Sequence, residues 1–111
     1  MRQNAGAIAT VDEIRHALAP ALKKGGAKKA IVFGSYARGD ADRYSGLDLI
    51  IVAETAASFF SRHEAFSGIY DVWRRGLDLL IYTHREVEKM LSERRAFIEV
   101  ALKEDVVIYE E

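Results

Sequence analysis

Two apolar runs, Leu47-Asp-Leu-Ile-Ile-Val52 and Leu77-Asp-Leu-Leu-Ile-Tyr82, each hold a single aspartate among side chains that leave water readily. Short apolar runs of this kind read as buried strands. Ala30–Phe33, ending at Gly34, is another such run, and Val106–Tyr109 reads as a last strand. Helical patterns separate them. Thr10-Val-Asp-Glu13 is a capping box, after which Val11, Ile14, Leu18 and Leu22 recur at helical spacing and Gly25-Gly26 supplies a stop. Pro20 is expected to kink or divide this helix near residues 16–19. Ala57–Arg75 reads as one helix with Phe59, His63, Phe66, Tyr70 and Trp73 on a stripe. Thr83-His-Arg-Glu86 is a second capping box, opening a helix with Val87, Met90 and Leu91 inward. Helix is expected to continue over Glu93–Glu104, with Phe97 and Ala101 on its apolar side. Strands alternating with helices predict the α/β (or α+β) class, one sheet covered by helices.

Length and composition narrow the class of function. A chain of 111 residues predicts one domain over residues 1–111. Half of the residues are hydrophobic and 30% are charged, enough apolar surface for a folded core. Sixteen basic residues against seventeen acidic ones give a net charge of −1, which argues against generic nucleic-acid coating. The absence of cysteine excludes disulfides and thiolate metal sites. No apolar run approaches the ~18 residues of a membrane span, and Met1–Thr10 lacks the apolar core of a signal peptide. The expectation is a cytoplasmic protein that does not enter a membrane.

The segment from Phe33 to Val52 carries the chemistry. Gly34 ends a strand where a missing side chain lets a ligand approach the backbone. Ser35 then stands at an expected helix N-terminus, where free amides and the helix dipole favour an anion such as phosphate. Arg38 and Gly39 follow one turn on. Alternation along the next strand puts residues 46, 48, 50 and 52 on one face. Asp78 joins Asp48 if the two strands are neighbours. Two buried carboxylates need a cationic partner. A hard divalent metal is one candidate; a structural ion pair to Arg38 or Arg43 is the other.

These residues resemble the signature of the minimal nucleotidyltransferases in the DNA polymerase β-like superfamily. The likeness lies in Gly34-Ser35, the ten residues Tyr36–Ser45, the strand aspartate Asp48, the Ser-x-Ala-Arg-Gly run from Ser35 to Gly39, and Asp78 in the later strand. The closing segment from Ser92 to Tyr109 also resembles bacterial members. The resemblance implies a polymerase β-like fold with a small mixed sheet of about four strands flanked by helices. It implies Mg2+ (or Mn2+) held by Asp48 and Asp78 as catalytic carboxylates, and ATP held at Gly34, Ser35 and Arg38. The activity it implies is transfer of AMP from ATP to a hydroxyl acceptor with release of pyrophosphate.

One position departs from the signature. Where the first aspartate of an Asp-x-Asp pair is expected, this chain has Gly46. The family pair serves two ions about 3.5–4 Å apart. Losing one carboxylate takes the site from about −3 to about −2, and the second ion suffers most. Asp40 and Asp42 are conceivable substitutes, against the simpler reading of solvated loop carboxylates. The resemblance further implies a partner: a helical HEPN-type toxin, neutralised by adenylylation of a tyrosine or by contact alone, the latter as a catalytically degenerate antitoxin. A homo-oligomer is the alternative assembly. Five of the eleven aromatics lie between Phe59 and Trp73, more than a short helix needs against a small sheet. Either they complete the core or some form an interface, with Trp73 beside Arg74-Arg75 the first candidate.

Other residues suggest less. His16, His63 and His84 fall on separate helices at no metal-ligand spacing. Lys23, Lys24, Lys28 and Lys29 read as solvated, and Met90 as core packing. Ser35 lacks the Gly-x-Ser-x-Gly elbow of a serine hydrolase.

Overall fold

The structure, a computed structural model, describes residues 9–111; the signal-peptide reading at the N-terminus rests on residues outside that range. The first helix, α1 (Val11–Gly25), opens with the anticipated capping box. Glu13 N donates to Thr10 Oγ1 at 3.1 Å, and Thr10 N donates to the Glu13 carboxylate at 2.8 Å. It ends at Gly26, whose φ of 84° closes the last turn. Pro20 does not divide it. Pro20 and His16 both lie on the solvent side, so the carbonyl that loses its partner can bond water instead.

Four strands follow the expected bounds closely: β1 (Lys29–Phe33), β2 (Leu47–Val52), β3 (Leu77–Tyr82) and β4 (Val106–Glu110). They form one mixed sheet in the order β3-β2-β1-β4, with β2 and β3 parallel and the other pairs antiparallel. One face carries Ala30, Val32, Leu47, Leu49, Ile51 and Ile81 against Ile14, Leu18 and Leu22 of α1. Each fully buried leucine there contributes about 1.5–3 kcal/mol. On the opposite face Ile31 and Ile50 meet Ile98 and Ala101 of α5 (Ala96–Lys103).

Two helical expectations are corrected. Residues 57–75 are not one α-helix but a 3-10 helix (Phe59–Phe66) followed by a short α3 (Gly68–Val72). Gly68 lies so near α1 that an added β-carbon would stand 3.2 Å from the Ala21 Cβ. The tighter winding also changes the phase of the side chains. Phe66, Ile69 and Trp73 are buried, whereas Phe59, Phe60, His63 and Tyr70 are exposed. Trp73 therefore belongs to the core, its ring edge-on to Tyr36 at 5.5 Å, and is not an exposed interface residue.

The helix after the second capping box, α4 (His84–Ser92), stops before Glu93 and does not run on to Glu104. Arg94 takes a left-handed φ of 57°. The turn lets α5 lay Ile98 and Ala101 onto the sheet, and it leaves Leu91 exposed.

Candidate functional site

Strand register assembles the site. Phe33 pairs with Asp48 across β1 and β2, and Asp48 pairs with Asp78 across β2 and β3. Because paired residues on neighbouring strands share a face, Phe33, Asp48 and Asp78 form one row on the face that carries α5, with Phe33 edge-on to Phe97 at 5.8 Å. That row lines a cavity of about 450 Å3, with Leu80 and Phe97 on the same side and Leu77, Leu79 and Tyr70 around the edge of β3.

Gly34 is required by two facts at once. Its φ of 74° lies in the left-handed region, and an added β-carbon would overlap Asp48 Oδ2. The glycine is thus what lets the aspartate lie against the backbone turn. The chain then enters α2 (Ser35–Arg38), where Arg38 N donates to Gly34 O at 3.0 Å. The amides of Ser35, Tyr36 and Ala37 precede that first helical bond and point out of the N-terminus. Gly39, with φ 84°, closes the turn.

Burial, reinforced by hydrogen bonding and repulsion from Asp78, pushes the Asp48 carboxyl up to about 6. Two carboxyl groups share a hydrogen bond only when one is protonated. Arg38 pulls in the opposite direction through space. Neither Arg38 nor Arg43 makes an ion pair with Asp48 among the described residues. Arg38 donates from Nη1 to Glu104 Oε2 at 3.0 Å and from Nε to Asp40 at 3.2 Å, and Arg43 lies over the Tyr44 ring. The structural ion-pair explanation for Asp48 therefore lacks a partner.

Gly46 lies two residues before Asp48, just ahead of β2, and has no ligand atom to offer. Asp40 and Asp42 do not replace it. Asp40 is bound to Arg38, and Asp42 accepts from Tyr44 N and Ser45 Oγ within its own loop. Among the described residues no group of three His, Cys, Asp or Glu side chains stands ready to hold a metal. The three histidines stay apart as expected, His16 against the Asp12 carbonyl and His84 against Glu88.

The sequence reading missed Glu104 and the buried Arg62. Arg62 donates to the Ala57 and Ile81 carbonyls and to both oxygens of Glu86. Glu104 caps α5 and reaches Arg38 across 66 positions of sequence, a separation that local pattern does not reveal. No helix among the described residues is long and apolar enough to cross a membrane.

Known proteins resemble the chain in sequence and in fold. A protein of Methanocaldococcus jannaschii, named as a protein adenylyltransferase, is 27% identical over 84 residues, covering 76% of this chain and 88% of its own. The solved structure of a toxin-antitoxin with AMP-PNP superposes with a TM-score of 0.62 at 16% identity, covering 87% of this chain and 73% of that one. A structure from Sulfolobus solfataricus, described as a nucleotidyltransferase, gives 0.53 at 19% identity, covering 96% of this chain and 92% of its own. The family model described as "Nucleotidyltransferase domain" matches residues 13–111. The chain belongs to the nucleotidyltransferase domain family.

Proposed function

We propose that the chain transfers AMP from ATP to a hydroxyl of a protein acceptor, with Mg2+ or Mn2+ held between Asp48 and Asp78. The observation that carries this reading is the lateral Asp48–Asp78 pair set against the Gly34 turn. Two adjacent carboxylates, one of them hard to ionise, suit a hard divalent cation. When bound, such a cation supplies positive charge against the triphosphate. The α2 amides and Ser35 would take the outer phosphates, with Arg38 adding charge once released from Glu104.

In the transfer, the acceptor oxygen forms a bond to the α-phosphorus. The bond from that phosphorus to the bridging oxygen breaks, and pyrophosphate leaves with the electron pair. The hydroxyl proton passes to Asp78, the more exposed carboxylate, and on to water. Most of the acceleration comes from positioning and charge. The name of the M. jannaschii relative supports a protein acceptor, and the toxin-antitoxin neighbour supports a toxin partner, which we take to be a helical HEPN-type protein. The single-domain organisation and a cytoplasmic location belong to the same reading.

A second reading, neutralisation of the partner by contact alone, is favoured by Gly46, which removes one carboxylate from the expected set. ATP labelled in the adenine ring separates the two, with Mn2+ and the product of the adjacent reading frame as acceptor. Label on the acceptor that disappears with Asp48→Ala supports transfer. No label under these conditions leaves the contact reading.

A further inference from the structure

Parallel pairing sorts the backbone groups of β3 by phase. Leu47 N donates to Gly76 O at 2.9 Å and Ala53 N to Tyr82 O at 3.0 Å. Gly76, Asp78, Leu80 and Tyr82 therefore turn their backbone groups toward β2, and Leu77, Leu79 and Ile81 turn theirs outward. β3 is an edge strand. The outward Ile81 carbonyl is taken by Arg62 Nη1 at 3.1 Å. Among the described residues, nothing hydrogen-bonds the outward groups of Leu77 and Leu79. Natural sheets usually cover or charge such an edge. Here it is left open immediately beside Asp78.

Its surroundings form a groove. The 450 Å3 cavity that holds the aspartates includes Leu77, Leu79 and Tyr70. A neighbouring cavity of about 280 Å3 shares Leu79 and Tyr70 and continues to Phe59, Phe60 and Ile81. Phe60 is 85% exposed, so apolar surface stands along the free edge.

We propose that an extended segment of the acceptor polypeptide adds to the free edge of β3 as a fifth strand, bonding Leu77 and Leu79 and setting one hydroxyl side chain beside Asp78. The proposal rests on the reading of Asp48 and Asp78 as the transfer site and names how the acceptor reaches it. Edge addition supplies affinity through main-chain bonds and specificity through alternate side chains. The residue opposite Asp78 continues the row Phe33–Asp48–Asp78 and projects to the same face. Its two neighbours project to the opposite face, beside Leu79 and Tyr70, so the acceptor carries apolar residues on either side of its hydroxyl.

The test uses a nine-residue uncharged peptide with a central tyrosine flanked by valines, titrated into the full chain with Mn2+ and ATP analogue present. Amide exchange at Leu77 and Leu79 is expected to slow about tenfold, while Asp78 and Leu80, already bonded to β2, stay unchanged. N-methylation of the peptide amides that face the edge abolishes the effect; methylation of the alternate set does not. Leu79→Pro removes one outward N–H and weakens binding of the peptide. Should that variant fail to fold, the paired N-methyl peptides still decide. Unchanged exchange at millimolar peptide, in a chain whose ATP affinity depends on Asp48, overturns the docking line alone. A concentration-dependent dimer that protects Leu77 and Leu79 without peptide also overturns it, in favour of a second copy on this edge. Edge protection in a chain that binds no ATP overturns the transfer site and leaves the docking line standing.

Discussion

Gly46 and Gly76 face each other where β2 and β3 begin, and a β-carbon on Gly46 would stand 3.4 Å from the Gly76 carbonyl oxygen that accepts from Leu47 N. Gly46 has no positive φ, so the position admits a side chain with little strain. Alternation directs that side chain to the face of Asp48. Gly46→Asp is therefore expected to fold and to raise Mn2+ affinity about tenfold, or about 1.4 kcal/mol. The same change should lower thermal stability without metal, because it adds a like charge to a crowded spot. Calorimetric titration with Mn2+ checks the affinity and thermal melts in chelator check the stability; unchanged affinity means that position 46 does not face the site.

Asp48 predicts an unusual pH dependence for the metal-free chain. Its carboxyl is raised to about 6 in the fold, chiefly by burial and then by Asp78, against about 3.9 in an unfolded chain. Between those values the folded state holds a proton that the unfolded state has lost. Stability therefore falls as pH rises from about 4 to about 6, and the deficit is complete above that window. Asp48→Asn removes the deficit. The variant should be more stable than the parent by about 1–2 kcal/mol at pH 7.5, a figure discounted for partial exposure, and equal to it near pH 3.5. Urea titrations in chelator at both pH values measure this, and a gain independent of pH counts against the crowded pair.

Strand bounds were legible because each strand is a short apolar run, and the Asp48–Asp78 neighbourhood because β2 and β3 each carry one anomalous carboxylate. Both capping boxes were legible because Thr-x-x-Glu is a local device. What was not legible depended on tertiary contact. Gly68 against Ala21 breaks the aromatic segment, and the seating of α5 on Ile31 and Ile50 goes with the left-handed turn at Arg94. The partner of Arg38 was misjudged for the same reason. The apolar strand setting suggested Asp48, whereas Asp40 and the distant Glu104 hold it.

Arg62 predicts a purely structural loss. It is 9% exposed, contacts both Glu86 oxygens, and lies over the Phe59 ring at 5.7 Å. Arg62→Met leaves the Ala57 and Ile81 carbonyls and the Glu86 carboxylate without this donor, a loss of about 2–4 kcal/mol. The Arg62 guanidinium holds the Glu86 carboxyl below its usual range. The pair's contribution is therefore present above about pH 4 and fades as pH falls through the lowered value, so the gap between variant and parent narrows in acid. ATP affinity should stay within about twofold, since the contacts lie at the opposite end of β3 from Asp78. A large affinity loss in folded Arg62→Met would mean that the 3-10 helix forms part of the nucleotide site.

Glu104 occupies the guanidinium that the nucleotide phosphates would need. It lies on the far side of Arg38 from the Gly34 turn in sequence, yet it also raises Asp48 through space, which sets its charge near the site. A carboxylate that neutralises Arg38 and repels a triphosphate opposes binding on both counts. Glu104→Gln keeps the shape of the side chain and removes the charge. It is expected to tighten ATP about threefold at fixed Mn2+, and to tighten inorganic tripolyphosphate equally, because the competition is for phosphate and not for the base. The gain should shrink at high salt, where screening weakens the competing pair. Fluorescence or calorimetric titration of both ligands measures it. Weaker binding of both would assign Glu104 the opposite role, a strut that holds Arg38 toward the phosphates.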